Sequence, residues 1–331
     1  MKHTWIYWLL SIALLCSLAF FVSSPAMAEE AESGVLPLDM LVPGKPAKEE
    51  GWINKPEAQK GSTWSGDYTE YEDSTIHMVA QKSTYVPHMN KKDKNVEIET
   101  ILVRVQIKDA SQIRTAMSYD SYKKREYQEA DKMAQKKNAI LAINGDFFKY
   151  YNNVGYVVRQ GEFYRDATNG RFQYDMLVID DQGDLWVVPE ATTKSIEDFI
   201  KNTLPEGRSI INTFNVGPAL VIDGQVQDVS QSIAAKKDLF QWNIPQQRIC
   251  IVQMGPLDYA IVETYGHYDG TKGLQLQEFA EYVASVCPDA ILAYNLDGGG
   301  STNVVGNGVR LVKTPGKREI SDILYFASAE D

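Results

Sequence analysis

The sequence is poor in the residues that most directly announce chemistry. It has three cysteines and four histidines in 331 residues. Cys16 lies in an N-terminal apolar run, and the remaining pair, Cys250 and Cys287, makes no spacing signal for a disulfide framework or a zinc site. Both stand in apolar stretches and read as small buried residues. His77, His88 and His267 are too scattered for a metal pattern. There is no Gly-x-Ser-x-Gly nucleophile elbow. The glycine run at 298–300 lacks the Gly-Lys-Ser/Thr ending of a phosphate loop. Positive charge is short as well, with 33 Lys and Arg against 44 Asp and Glu and a net charge of -11. That balance argues against a nucleic-acid partner and repels phosphorylated ligands at long range, so such a ligand needs local donors. Asp and Glu remain as the acid–base groups.

Hydrophobic residues make up 44% of the chain, enough for one sizeable core. Lys2, the apolar run over residues 5–22 and Ala26-Met27-Ala28 read as an export signal. The run is also long enough for an uncleaved anchor. Residues 1–28 are therefore a signal peptide or membrane anchor, and 29–66, rich in Glu, Lys, Gly and Pro, a flexible linker. Residues 67–331 form the folded domain, secreted or held on the extracellular face of the cell membrane.

Within that domain the alternating stretch over residues 95–108 predicts a strand, and 139–143 a short buried one. The spacing of Tyr127, Ala130, Met133 and Ala134 predicts a helix over 126–137, and that of Leu276, Phe279, Ala280 and Val283 another over 276–287. Residues 247–254 and 259–264 read as a hairpin. A turn through residues 255–258 would set Arg248 opposite Tyr265, with Glu263 its diagonal same-face neighbour about 7–8 Å away. The class is α+β, a strand-rich single domain whose mixed sheet carries packed helices.

Two segments carry the candidate chemistry. Three consecutive glycines cost backbone entropy, so Asp297-Gly298-Gly299-Gly300-Ser301-Thr302 needs a reason: tight geometry, or close approach of a ligand whose anionic oxygen the amides could bind. Ser301 and Thr302 add hydroxyl donors. A plain strand–turn connection is the alternative. Asn144-Gly145-Asp146 follows a buried strand in the same way, as a site at a sheet's end or as an Asn-Gly turn. Residues 139–146 and 290–297 echo one another, each closing in Asn-x-Asp after a helix and an apolar strand. If the strands lie close, Asp146 and Asp297 form a carboxylate pair whose pKa values are pushed apart, with Glu263 the next candidate partner. Arg248 stands either in an ion pair or as a phosphate clamp.

The ordered set Asn144-Gly145-Asp146-Phe147-Phe148, Gly217-Pro218-Ala219-Leu220, Arg248 and Asn295-Leu296-Asp297-Gly298-Gly299-Gly300-Ser301 resembles the phosphodiester glycosidase family. The resemblance implies hydrolysis of a sugar-1-phosphodiester, with a sugar-phosphate or polysaccharide substrate. It marks Asn144, Arg248, Asp297, Gly298, Gly299, Gly300 and Ser301 as site positions. Ile249, Cys250, Ile251 and Val252 depart from the family's Thr-Ala-Ile-Gly. That departure supports the alternative, a non-catalytic polysaccharide-binding or exopolysaccharide-assembly protein with the same fold. No cofactor is specified by any motif, and a divalent cation is left open.

Overall fold

The computed structural model describes residues 68–89, 97–150, 154–168, 174–236, 241–267, 271–306, 308–312 and 318–329. The export signal and the linker lie outside the described residues.

In chain order the first strands are β1 (Tyr68–Glu72), β2 (Ile76–Tyr85), β3 (Ile98–Ile107), β4 (Ile113–Met117), β5 (Ala139–Asn144) and β6 (Gly155–Arg159). Next come β7 (Glu162–Ala167), β8 (Met176–Asp180), β9 (Leu185–Val188), β10 (Ile210–Phe214), β11 (Ala219–Ile222) and β12 (Gln225–Val226). The last are β13 (Arg248–Gly255), β14 (Asp258–Thr264), β15 (Leu292–Asn295), β16 (Val304–Gly306), β17 (Val309–Arg310) and β18 (Asp322–Ala327). The helices are α1 (Ala130–Lys136), α2 (Thr193–Asn202), α3 (Ile233–Lys236) and α4 (Leu276–Val286).

Two sheets frame the domain. One has eight strands in the order β1-β2-β3-β14-β13-β15-β11-β12, the other five in the order β17-β16-β5-β18-β4. Every strand pairing among the described residues is antiparallel, so the strand-rich α+β expectation is met by several antiparallel sheets rather than one mixed sheet. The two sheets share a core to which Val103, Ile251, Ile261 and Tyr294 contribute from the larger sheet and Leu141, Ile143, Leu324 and Phe326 from the smaller. Alternation explains the rest. Cys250, Val252, Ala260 and Val262 point to the opposite face of the larger sheet, where they meet Leu276, Phe279, Ala280 and Val283 of α4. Ala142, Ile323 and Tyr325 of the smaller sheet meet Ala130, Met133 and Ala134 of α1. Helix, sheet, sheet and helix thus stack around three apolar layers. Cys250 and Cys287 are both free and buried in the α4 layer.

Two local expectations are corrected. Helix α1 begins at Ala130 rather than 126, because Gln128 is held in an extended bridge with Ile320 through hydrogen bonds of 3.1 and 2.9 Å. The hairpin register is one residue off the expectation. A bulge between Gln253 and Gly255 sets Arg248 opposite Thr264 and Glu263 opposite Ile249. Since a one-residue slip exchanges the faces of a strand, Glu263 and Arg248 do not share one. Glu263 instead accepts a 2.7 Å hydrogen bond from Gln247 Nε2.

Candidate active site

A cavity of about 280 Å³ opens where β15 ends. Its polar wall comprises Gln246, Arg248, Asn295, Asp297 and Arg318, with the glycine run along one side. The loop owes its shape to two glycines. Gly299 has φ 57°, in the left-handed region, and turns the chain into a short 3-10 segment, Gly299–Ser301. A Cβ on Gly298 would lie 2.8 Å from the Gln247 carbonyl oxygen, so the loop rests directly on the chain entering β13. The Gly299 N–H donates to that same carbonyl at 2.9 Å. The amides of Gly298 and Gly300 meet no acceptor among the described residues.

The loop is pinned from below by Asn144. Its Nδ2 donates to the Asp297 carbonyl oxygen at 2.7 Å, and its Oδ1 accepts from Asn303 N–H at 2.9 Å. One buried carboxamide at the end of β5 therefore clamps both ends of the glycine run, across the interface between the two sheets. The sequence echo has this meaning in space: β5 and β15 belong to different sheets, yet their ends meet. Asn144 does not line the cavity.

Asp297 is half-buried and, among the described residues, is the sole acid in the cavity lining. Burial pushes its carboxyl up to about 6, against a hydrogen bond from Ser301 and the positive charge of Arg318, while the negative charge of Asp146 adds a smaller upward push. Arg318 is exposed, and its Nη1 donates to Ser301 Oγ at 3.2 Å. The hydroxyl of Ser301 thus links the guanidinium to the carboxylate. Thr302 is fully buried under the loop, its N–H donating to the Gly299 carbonyl at 3.2 Å.

Arg248 reaches the cavity wall from the buried start of β13. Its Nε donates to the Leu274 carbonyl at 3.1 Å, and its Nη2 to those of Gln241 and Ile244 at 2.9 Å each. Burial draws its pKa down to about 10, which leaves it charged at neutral pH. It both shapes the 241–247 segment and lends the wall a positive charge.

Asn295 supplies the sharpest ligand signal. It is 3% exposed, and its Nδ2 donates to the Gly217 carbonyl at 2.8 Å, which fixes the orientation of the carboxamide. Its Oδ1 then finds no donor among the described residues. A buried acceptor left unsatisfied at a cavity wall is a costly feature unless a ligand completes it.

The other two candidate carboxylates lie behind the cavity. Asp146 accepts hydrogen bonds from Phe148 N–H at 2.9 Å and Asn215 N–H at 3.0 Å, and stands 3.3 Å from Arg159 Nη2. Arg159 also holds Asp322 at 2.8 Å, and burial raises Asp322 to about 7. Asp146 thus belongs to a buried ionic cluster joining β5, β6 and β18. Glu263, 2% exposed, sits behind Gln247, and burial pushes it up to about 8. The structure brings Arg248 and the glycine loop around Asp297, and sets Asp146 and Glu263 one layer back. Gln241, Gln246, Asn295 and Arg318 are added to the candidate set. Asn295 stands inside a motif segment of the sequence; the two glutamines carry no sequence signal.

The departures after Arg248 also find their place. Ile249, Cys250, Ile251 and Val252 are 0% exposed, divided between the two cores that flank β13. None lines the cavity.

No curated protein sequence matches the chain. Among solved structures, the catalytic domain of zebrafish N-acetylglucosamine-1-phosphodiester alpha-N-acetylglucosaminidase, auto-inhibited by its pro-peptide, is similar at a TM-score of 0.60 and 16% identity, over 88% of this chain and 98% of that one. A hypothetical protein from Synechocystis is similar at a TM-score of 0.50 and 14% identity, over 80% of this chain and 64% of that one. At such identities the likeness speaks for the fold. The family model for phosphodiester glycosidases matches residues 137–327, from β5 to the end of β18 and more than half of the chain. The chain belongs to the phosphodiester glycosidase family.

Proposed function

We propose that the protein is an exported hydrolase of glycosyl-1-phosphodiesters, freeing the sugar and leaving a phosphomonoester on its partner. The observation that carries this reading is the meeting in one cavity of a carboxyl raised to about 6, two arginines and two loop amides that find no acceptor among the described residues. Arg318, Arg248 and the amides of Gly298 and Gly300 suit a phosphate. Asn295 Oδ1 suits a hydroxyl or amide N–H of the sugar.

A single carboxylate is enough for this reaction. Ordinary glycosidases pair two carboxyl groups because an alkoxide leaving group must be protonated. A phosphate ester leaves as a stable anion. The C1–O bond breaks with its electron pair passing to the phosphate oxygen, held by the arginines. Ionised Asp297 accepts a proton from the water whose oxygen bonds to C1, and the proton then passes to phosphate or solvent. Asn144 holds the loop, the ionic cluster around Asp146 ties β5, β6 and β18 together, and neither takes part in proton transfer.

The departures after Arg248, the sequence support for a non-catalytic relative, fall on core side chains and bear on packing rather than on the cavity. Incubation with a panel of α-glycosyl phosphodiesters, including nucleotide sugars, tests the reading. Free sugar should accumulate. Ligand retention without release across the panel would make the protein a binding module.

A further inference from the structure

An aromatic pair stands beside the cavity and takes no part in the reading above. Tyr127 and Tyr150 stack with ring centroids 4.1 Å apart and planes 10° from parallel. The sequence pattern places Tyr127 on the buried face of a helix; in the structure it precedes α1, released by the Gln128–Ile320 bridge. Tyr150 is 46% exposed, so a large flat ring meets solvent where the core offers it no cover. Its hydroxyl donates to the Glu319 carbonyl at 3.3 Å, one residue from Arg318 of the cavity wall. The charges of Arg318 and Asp297 are both felt at its phenol. The pair thus lies on the Arg318 side of the cavity, outside its lining.

We propose that Tyr150, backed by Tyr127, is a saccharide-stacking subsite, and that the natural substrate carries at least one sugar ring beyond the scissile phosphodiester. This rests on the glycosidase reading of the neighbouring cavity. A pyranose presents a face of C–H groups that matches an uncharged aromatic plane, while its hydroxyl edge stays in water. A phenol already fixed by a stacked neighbour and by a hydrogen bond to Glu319 loses little side-chain freedom when a ring settles on it. An exposed Glu319 at the platform's edge offers acceptors to ring hydroxyls. The cavity's about 280 Å³ is at the small end for ligand sites, enough for a sugar and its phosphate but not for a longer glycan. Further rings must therefore lie on the rim, where the tyrosines are. The extra ring could belong to the sugar side or to the phosphate-linked partner, and both present the same face.

Direct binding tests the platform apart from catalysis. Titration of the wild-type protein with the phosphate-free probes cellotetraose, maltotetraose and chitotetraose should show binding to at least one. Tyr150→Ala should weaken that binding roughly two- to tenfold, the scale of one lost aromatic contact, and Tyr150→Phe should retain it. With turnover assayed as well, Tyr150→Ala should raise KM for a tetrasaccharide phosphodiester by a similar factor and leave a methyl phosphodiester of a single sugar within about twofold. Placing the tetrasaccharide on the sugar side or on the phosphate partner tells which end meets the platform. Tetrasaccharide binding without turnover of any phosphodiester would sink the hydrolase reading and keep the subsite. Turnover with no tetrasaccharide binding, or equal losses for long and short substrates, would overturn the subsite.

Discussion

Replacing Glu263 with Gln tests whether burial governs the electrostatics behind the glycine loop. The carboxyl is 2% exposed, and burial lifts it from the ordinary 4.5 to about 8, opposed only in part by the hydrogen bond from Gln247. A raised pKa means that the folded state binds a proton the unfolded state has released. Stability therefore falls as pH climbs through the window from 4.5 to about 8. Between pH 5 and pH 9 this one group should remove up to about 4 kcal/mol from the wild type, at 1.36 kcal/mol for each pH unit across most of that window. Glutamine keeps the shape and the acceptor for Gln247 Nε2 but has no proton to lose. Denaturant melts of wild type and Glu263→Gln at pH 5, 7 and 9 would show it. The two should be nearly equal at pH 5 and diverge at pH 9, with the variant the more stable. Asp297 and Asp322 titrate in both proteins, so the difference isolates Glu263. Parallel curves would mean that the carboxylate is already ionised in the fold at neutral pH, and the burial argument would be refuted.

Gly300→Ala would set a methyl 3.3 Å from the exposed Arg318 guanidinium, so turnover should fall at least about tenfold while stability changes by less than about 0.5 kcal/mol. Gly299→Ala must also hold φ 57° and should cost about 1 kcal/mol in the same melts; equal losses of stability and activity in Gly300→Ala would return the loop to a purely structural role. Arg159→Met leaves Asp146 and Asp322 buried without their cation, which should cost about 3–5 kcal/mol at pH 8 and less at pH 5, where Asp322, raised by burial to about 7, is protonated. A deficit that ignores pH would argue against an ionic role. Asn295→Ala should lower kcat/KM by about ten- to a hundredfold. It should also erase discrimination against deoxy-sugar substrates, and undiminished discrimination would exclude it as the sugar acceptor.

Much of this was legible in the sequence where side-chain pattern and structure share a period. The spacing in α4, the buried run of β5 and the hairpin β13–β14 all announce themselves. Strand β4 did not, because the buried Arg114 and Thr115 interrupt its apolar run. The bulge after Gln253 carries no composition signal, yet it decides which face Glu263 takes. The glycine run pointed to a site, and the resemblance pointed to Arg248 and Asp297. What the sequence could not show were the partnerships. The carboxamide of Asn144 reads as a site position until Asp297 and Asn303 are seen to occupy it. The open acceptor of Asn295 exists only because Gly217, far away in sequence, takes its donor side.

The central claim is that this cavity breaks the bond between the sugar and the phosphate oxygen, with Asp297 activating the water. Hydrolysis of an α-glycosyl phosphodiester in water labelled with heavy oxygen, followed by mass spectrometry of the phosphomonoester, tests it most directly. The account predicts an unlabelled phosphate, because the new oxygen goes to C1. It also predicts that Asp297→Asn slows the reaction roughly 10²–10⁴-fold with its fold intact, and that wild-type turnover falls below a pH of about 6. Label in the phosphate, or full activity in Asp297→Asn, would contradict it.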